Sequence, residues 1–231
     1  VSLVRNTRIT DDICILTFDR KIDIQAGQFV FLWIPGLGEK PFSALTDDPF
    51  SLVIINLGKF TNALMTVEPG IEAYIRGPHG NAVAPPNGAR IMAVAGGTGL
   101  AAVYLLARDF GNAEIFMGAR TEERLYFIDE CEAVNTLHIA TDDGSRGHHG
   151  VVTELLEQQL NELPGSELEQ LIFYNCGPAP MVHAAEAVQR KFCKPEQIFN
   201  AIDYLTKCGV GICGACDAPD GRRLCVDGPF L

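Results

Sequence analysis

Four of the eight cysteines fall in the last 24 residues, at Cys208, Cys213, Cys216 and Cys225, spaced C-x4-C-x2-C-x8-C. A C-x4-C-x2-C run followed by a more distant fourth cysteine is the plant-type spacing for a [2Fe–2S] cluster, a carrier of single electrons. The glycines between them fit the same chemistry. A loop that wraps an inorganic cluster must turn sharply, admit positive φ and aim N–H groups at sulfur, and Gly209, Gly211 and Gly214 permit all three. Zinc and disulfides are the competing readings. Zinc sites favour two C-x2-C knuckles, and this stretch has one. Disulfides need suitable Cα separations, and four crowded thiols without a secretory signal argue against them. The spacing therefore predicts an electron carrier with all four thiolates on iron.

A second chemical signature lies mid-chain. Gly97-Thr98-Gly99-Leu100-Ala101-Ala102 fits G-x-G-x-x-[G/A] directly after the apolar run Ile91–Ala95 and at the start of a helical pattern. In that context the motif marks a dinucleotide site at Gly96, Gly97, Thr98 and Gly99: the turn is tight, the backbone admits a pyrophosphate, and the helix N-terminus is positive. An ordinary strand-to-helix turn that needs glycine is the plainer alternative. No Asp or Glu closes the next strand; Met117 leads into Gly118-Ala119-Arg120-Thr121. Arg120 suits a 2′-phosphate, the pyrophosphate, or pairing with Glu122 and Glu123. NAD is the expected cofactor, with NADP left open.

Cys176-Gly177-Pro178 follows another apolar run, at the carboxyl edge where open α/β sheets hold ligands. A buried thiol at a strand end is the alternative. No His adjoins Cys176 to activate it, so it does not read as a nucleophile. His148-His149 invites a metal reading, but neighbours on an extended chain point opposite ways, and both read as surface histidines.

These residues need two kinds of scaffold. Up to about residue 87 the chain carries short β-branched or aromatic runs at 13–18, 28–34, 51–55 and 73–76, separated by Gly, Pro and Asp. That rhythm predicts a small antiparallel barrel. After Pro85-Pro86-Asn87-Gly88 the rhythm changes. Strands are expected at 91–95, 114–117, 137–141 and 171–175, and helices at 100–108, 151–160 and 181–192. Alternating strands and helices imply a parallel sheet with helices on both faces.

Composition narrows the partners. A chain of 231 residues with 47% apolar residues can bury proper cores, and a net charge of −11 disfavours nucleic acid and anionic membrane surfaces. No apolar run reaches the roughly 18 residues needed to span a bilayer. Val1–Asn6 reads as a strand and not as a secretory signal. Cys14, Cys131, Cys176 and Cys193 stand singly, which suits reduced thiols in the cytoplasm.

Over essentially its whole length the chain resembles the ferredoxin–NADP reductase superfamily, and within it the family of dihydroorotate dehydrogenase B electron-transfer subunits. Lys40-Pro41-Phe42-Ser43 is similar to the superfamily's R-x-[YF]-S flavin motif, Leu57–Thr61 to its flavin-phosphate loop, and Gly77-Pro78-His79-Gly80-Asn81 to G-P-x-G-N. Gly96–Gly99 matches G-G-T-G, Thr141–Gly147 matches T-x-D-G-x-x-G, and Cys176–Met181 matches C-G-P-x-P-M. The terminal cysteine run, ending Cys225-Val226-Asp227-Gly228-Pro229-Phe230, resembles the narrower family.

The resemblance implies an FAD-binding antiparallel six-stranded barrel (1–87), a parallel-sheet nicotinamide-binding α/β domain (88–195) and a small C-terminal [2Fe–2S] module (196–231). Phe42 would lie along the isoalloxazine, and Ser43 would bond near flavin N5 through its hydroxyl or N–H. Lys40 stands where Arg is usual, which leaves a point charge in place of a bidentate phosphate contact. Gly58, Lys59 and Thr61 would cradle phosphate, although alone they read as a tight hairpin. Gly77, Gly80 and Asn81 would border the flavin or close the barrel. Cys176 and Gly177 would face the nicotinamide, and Asp143 its ribose or phosphate. Ser43 and Cys176 are the residues expected at the reacting atoms.

The implied activity is electron transfer between NAD+ and an FMN-containing catalytic subunit that oxidises dihydroorotate to orotate in pyrimidine biosynthesis, within a heterotetramer. The alternative in the same class is the flavin subunit of a hydrogenase, sulfide dehydrogenase or bifurcating transhydrogenase; Cys208 in place of Asp as first ligand favours the former. Outside the class stands a non-enzymatic docking module that holds zinc.

Overall fold

The computed structural model describes residues 1–202 and 205–231. Among these, 1–82 with 205–229 form one compact unit, and 83–202 with Phe230–Leu231 form another.

The first unit is built on six antiparallel strands: β1 (Leu3–Arg8), β2 (Ile13–Phe18), β3 (Phe29–Ile34), β4 (Gly38–Asp47), β5 (Phe50–Ile55) and β6 (Tyr74–His79). They lie in the order β1-β2-β5-β4-β3-β6. Backbone bonds near the two ends of that order close the barrel: Ser2 bridges Glu72, and the Ala73 N–H donates to the Val1 carbonyl at 2.9 Å. Closure leaves no long free edge. Leu16, Val30, Leu32, Ala44, Leu52 and Ile54 are fully buried. The short helix α1 (Lys59–Leu64) follows β5 and buries Phe60 and Leu64.

The Lys40–Ser43 motif lies within a strand. Residues 38–43 of β4 pair with β3, whereas 44–47 pair with β5. Pro41 therefore occupies a stretch bonded on one side only, the edge position in which strands tolerate proline.

The second unit is a six-stranded parallel sheet: β7 (Arg90–Gly96), β8 (Ala113–Ala119), β9 (Thr136–Thr141), β10 (His148–His149), β11 (Leu171–Cys176) and β12 (Ile198–Ala201), ordered β10-β9-β8-β7-β11-β12. The helices are α2 (Gly99–Phe110), α3 (Ile128–Val134), α4 (Val152–Glu162), α5 (Gly165–Leu168) and α6 (Ala179–Gln189). β7 is buried along Ile91–Gly96, as a strand covered on both faces must be. Met92, Val94, Phe116 and Phe173 pack with Leu156, Leu160 and Ala185 of α4 and α6.

Residues 196–202 differ from expectation. β12 pairs with β11 and completes the parallel sheet, so this segment is not part of a cysteine module. The last residue returns to the same strand: Leu231 and Asn200 exchange both backbone hydrogen bonds. One further turn of helix, α7 (Leu224–Asp227), carries Cys225 in the first unit. Among the described residues no helix is long and apolar enough to cross a membrane.

At the amino edge of the parallel sheet, Glu114 accepts from Arg90 Nε and pairs with His138 Nε2, each at 2.9 Å. Arg90 also pairs with Glu167. The His138 bond first, and then Arg90, hold the Glu114 carboxyl below its ordinary value. A depressed folded-state pKa gives stability above the unfolded value and loses it as pH falls through the folded one. Glu114→Gln is expected to lower stability by about 1–3 kcal/mol at neutral pH. It should also flatten the acid limb of the stability curve, as measured by urea unfolding between neutral pH and mild acid.

Candidate functional site

In the first unit the C-terminal loop brings the four cysteines together as two pairs. Cys216 and Cys225 are buried, with sulfurs 3.4 Å apart. Cys213 hydrogen-bonds Cys208 through both its N–H and its side chain. Backbone amides point at the sulfurs: Val210 and Ile212 donate to Cys208 at 3.5 and 3.4 Å, and Gly211 donates to Cys225 at 3.2 Å. Gly209, Gly211 and Gly214 all have φ near +70°, which is what turns those amides inward. The amides of Val210, Cys213 and Ile212 bring the Cys208 thiol down to about 6. Burial pushes Cys225 up to about 11, with Cys216 beside it adding to the rise.

The donor set fits a two-iron cluster, with two sulfur pairs and hydrogen bonds already aimed at them. None of the eight cysteines is joined in a disulfide. Among the described residues, no group of three or more His, Cys, Asp or Glu side chains is already arranged to hold a metal ion.

The loop sits on the barrel. The Arg76 guanidinium donates to the Cys208 carbonyl at 2.6 Å, and the Gly80 N–H donates to the Cys225 carbonyl at 3.2 Å. The Asn81 N–H donates to the Gly228 carbonyl at 2.7 Å. A Cβ on Gly80 would stand 2.4 Å from the Gly228 oxygen. Of the Gly77–Asn81 stretch, expected near flavin or closing the barrel, Gly77–His79 end β6, and Gly80 and Asn81 are the residues against which the cysteine segment rests.

Also in this unit, strand alternation puts Lys40 and Phe42 on one face of β4. The Phe42 ring lies 6.5 Å from that of Phe60 on α1, which brings the Lys40–Ser43 and Gly58–Thr61 stretches together. Ser43 is half-buried opposite Phe29. Lys59 is exposed at the start of α1. The Thr61 hydroxyl accepts the N–H groups of Leu57 and Gly58 at 2.9 and 3.0 Å, so it shapes the loop from within.

In the second unit the expected residues line the carboxyl edge of four adjacent strands. Gly97–Gly99 follows β7, Arg120 follows β8, Asp143 follows β9, and Cys176-Gly177 ends β11. The glycine turn and the Cys176 stretch are in contact. A Cβ on Gly99 would lie 2.0 Å from the Cys176 carbonyl oxygen, and one on Gly96 would meet Met181 Sδ at 2.6 Å. Asp143 accepts from the N–H and hydroxyl of Ser145 at 3.0 and 2.6 Å, a self-contained turn; its hydrogen bonds with Ser145 hold its carboxyl low. Arg146 pairs with Glu122 at 3.6 Å. Beneath Cys176, buried Asn175 exchanges two 2.8 Å bonds with the Gln189 amide and donates to Asn200, which fixes the end of β11.

Two features escaped the sequence reading. One is Arg76. The other is Tyr126, a buried phenol whose hydroxyl donates to the Gly97 carbonyl at 2.6 Å and whose burial pushes its pKa up. No local spacing signals a partner 29 residues away. Tyr126→Phe is expected to raise the dissociation constant for NADH roughly fivefold, the loss of about 1 kcal/mol of turn organisation. Titration of NADH fluorescence checks it.

Residues 93–187 match the family described as oxidoreductase NAD-binding domain. The chain is 37% identical over 218 residues to the probable dihydroorotate dehydrogenase B (NAD(+)), electron transfer subunit, of Methanocaldococcus jannaschii, covering 92% of this chain and 81% of that protein. The like-named protein of Pyrococcus horikoshii is 37% identical over 234 residues, covering 100% and 88%. A solved structure of NADH-dependent reduced ferredoxin-NADP oxidoreductase superposes with a TM-score of 0.87 at 27% identity, covering 100% of this chain and 87% of that one. The ferredoxin reductase of carbazole 1,9a-dioxygenase shares the fold, with a TM-score of 0.74 at 21% identity over 86% and 67% of the two chains.

The barrel and the nucleotide-binding sheet define an NAD-linked oxidoreductase of the ferredoxin reductase class. Within that class, the chain belongs to the family of dihydroorotate dehydrogenase B electron transfer subunits.

Proposed function

We propose that this chain relays electrons between NAD+ and a partner catalytic subunit, using FAD on the barrel and a [2Fe–2S] cluster in the C-terminal loop. When bound, these groups convert hydride exchange with nicotinamide into single-electron exchange with the partner. The observation that carries the reading is the pairing of four thiols under inward-facing amides on the barrel. Cys208, Cys213, Cys216 and Cys225 would hold the iron. Lys40, Phe42 and Ser43, with Gly58 and Lys59, would hold the flavin, and Gly96–Gly99, Arg120, Cys176 and Gly177 the dinucleotide. Asp143 would meet the ribose, Gly77 would border the flavin, and Gly80 and Asn81 support the cysteine segment.

The family likeness points to a partner that carries FMN and oxidises dihydroorotate, and to NAD in place of NADP. The outer rim of the loop suits a partner, since Val210 and Ile212 are exposed around Cys213, Ile212 by 84%. Iron and acid-labile sulfide should be found near two atoms each per chain, together with flavin absorption, in anaerobically prepared protein. A colourless, iron-free sample would sink the reading. Dihydroorotate should reduce this chain only when its partner is present.

Ser43→Ala tests the flavin contact. NADH reduction of the flavin is expected to slow by about tenfold or more through loss of an oriented donor, with FAD affinity nearly unchanged. An unchanged rate in stopped flow would remove Ser43 from the reacting atoms.

A further inference from the structure

We propose that Arg76 is a positioning residue for the cysteine loop, seating its first ligand on the barrel and setting the charge beside it. This rests on the cluster reading above for its redox consequence, but not for its geometry. Arg76 ends the apolar half of β6 and uses its whole guanidinium. Nε and Nη2 grip the two carboxylate oxygens of Glu39 at 3.1 and 3.0 Å. Nη1 donates to the Cys208 carbonyl at 2.6 Å, and Nη2 reaches the Lys207 carbonyl at 3.4 Å. The guanidinium carbon stands 3.9 Å from the centre of the Phe31 ring.

Gly209 fills the remaining space. A Cβ there would lie 2.9 Å from Phe31, 3.0 Å from Arg76 Nη1 and 3.0 Å from His79 Nε2. The loop therefore enters its turn at a point fixed from three sides, immediately before the amides that face the Cys208 sulfur. A planar fork that serves a carboxylate, a carbonyl and an aromatic face together is a task for Arg; Lys offers one point charge. The Arg76–Glu39 pair also places balanced charges next to the cysteine loop, and each charge unbalanced alone must act on a nearby redox centre with opposite sign.

The test uses the full chain with Arg76→Gln, Arg76→Lys, Glu39→Gln and the Arg76→Gln/Glu39→Gln double variant. Amide hydrogen exchange across 207–216 is expected to quicken roughly tenfold to a hundredfold in Arg76→Gln and Arg76→Lys, with the rest of the barrel unchanged. Arg76→Lys retains the charge and guards against a barrel that fails to fold. The midpoint potential of the cluster, from redox titration of its paramagnetic signal, should fall in Arg76→Gln, rise in Glu39→Gln and return toward wild type in the double variant. Unchanged loop exchange in both Arg76 variants, or potential shifts of the same sign in the two single Gln variants, overturns the proposal. Absence of iron from the wild type defeats the cluster reading instead, and leaves the exchange result to judge the clamp.

Discussion

Cys213→Ser is expected to abolish the paramagnetic signal of the reduced cluster while FAD stays bound. Cys213 is the exposed member of the four and bonds to Cys208 within the loop, so its replacement disturbs no core. Serine keeps the size of the side chain and replaces a soft thiolate ligand with a hard, poorly ionised hydroxyl. Changes outside a metal's first ligands typically cost about 10–100-fold in affinity, and loss of a ligand should exceed that. Flavin reduction by NADH should persist, because the Lys40–Ser43 and Gly58–Thr61 stretches, on β4 and at the start of α1, contribute none of the four thiols. Electron delivery to or from the partner should collapse. Anaerobic titration with iron and sulfide, with flavin absorbance followed in the same sample, separates the two outcomes. Simultaneous loss of flavin would mean that barrel and loop had been assigned to the wrong cofactors.

The parts of the molecule that are legible in the sequence are those set by local spacing. The C-x4-C-x2-C run, the glycine turn after Ile91–Ala95 and the apolar strands β2, β3, β5, β7, β8, β9 and β11 all declare themselves within a few residues. β4 did not. Its Gly38-Glu39-Lys40-Pro41 half is polar or ring-locked, and it pairs on one side only, so it shows no apolar alternation. α1 hid for a related reason: six residues are too few to show a helical period, and its glycine start looks like a hairpin. β12 lies beyond a run of Lys, Pro and Glu that reads as a change of module, yet four residues suffice to extend the parallel sheet.

The supports of the site are less legible because they are long-range. Arg76 and Cys208 are 132 residues apart, and Tyr126 and Gly97 are 29 apart. Neither contact has a spacing rule, since each depends on which strands become neighbours. Gly80 shows the same limit from another side. Its sequence context announces a turn, whereas the reason it must be glycine, the Gly228 oxygen 2.4 Å from where a Cβ would stand, lies at the far end of the chain.

Gly99→Ala is the second variant with a large expected effect, and it tests the site in the parallel-sheet unit. The added Cβ would lie 2.0 Å from the Cys176 carbonyl oxygen, 2.4 Å from its carbon and 2.8 Å from the Gly177 nitrogen. All three are backbone atoms, so no side chain can rotate away. Nor can α2 retreat, because Gly99–Ala107 are buried without interruption. The end of β11 must therefore move, and with it Cys176 and the buried Asn175–Gln189 pair that holds it. Overpacking of this kind usually costs about 1–3 kcal/mol, and a clash with backbone belongs at or above the top of that range. NADH affinity is expected to fall by more than about tenfold, the equivalent of 1.4 kcal/mol. The barrel should keep its flavin. Gly165→Ala is the matched control, since nothing lies within 4 Å of the Cβ it would add. Thermal unfolding and NADH titration of the two variants give the comparison. If Gly99→Ala behaves like Gly165→Ala, the glycine turn and the Cys176 strand end do not form one site.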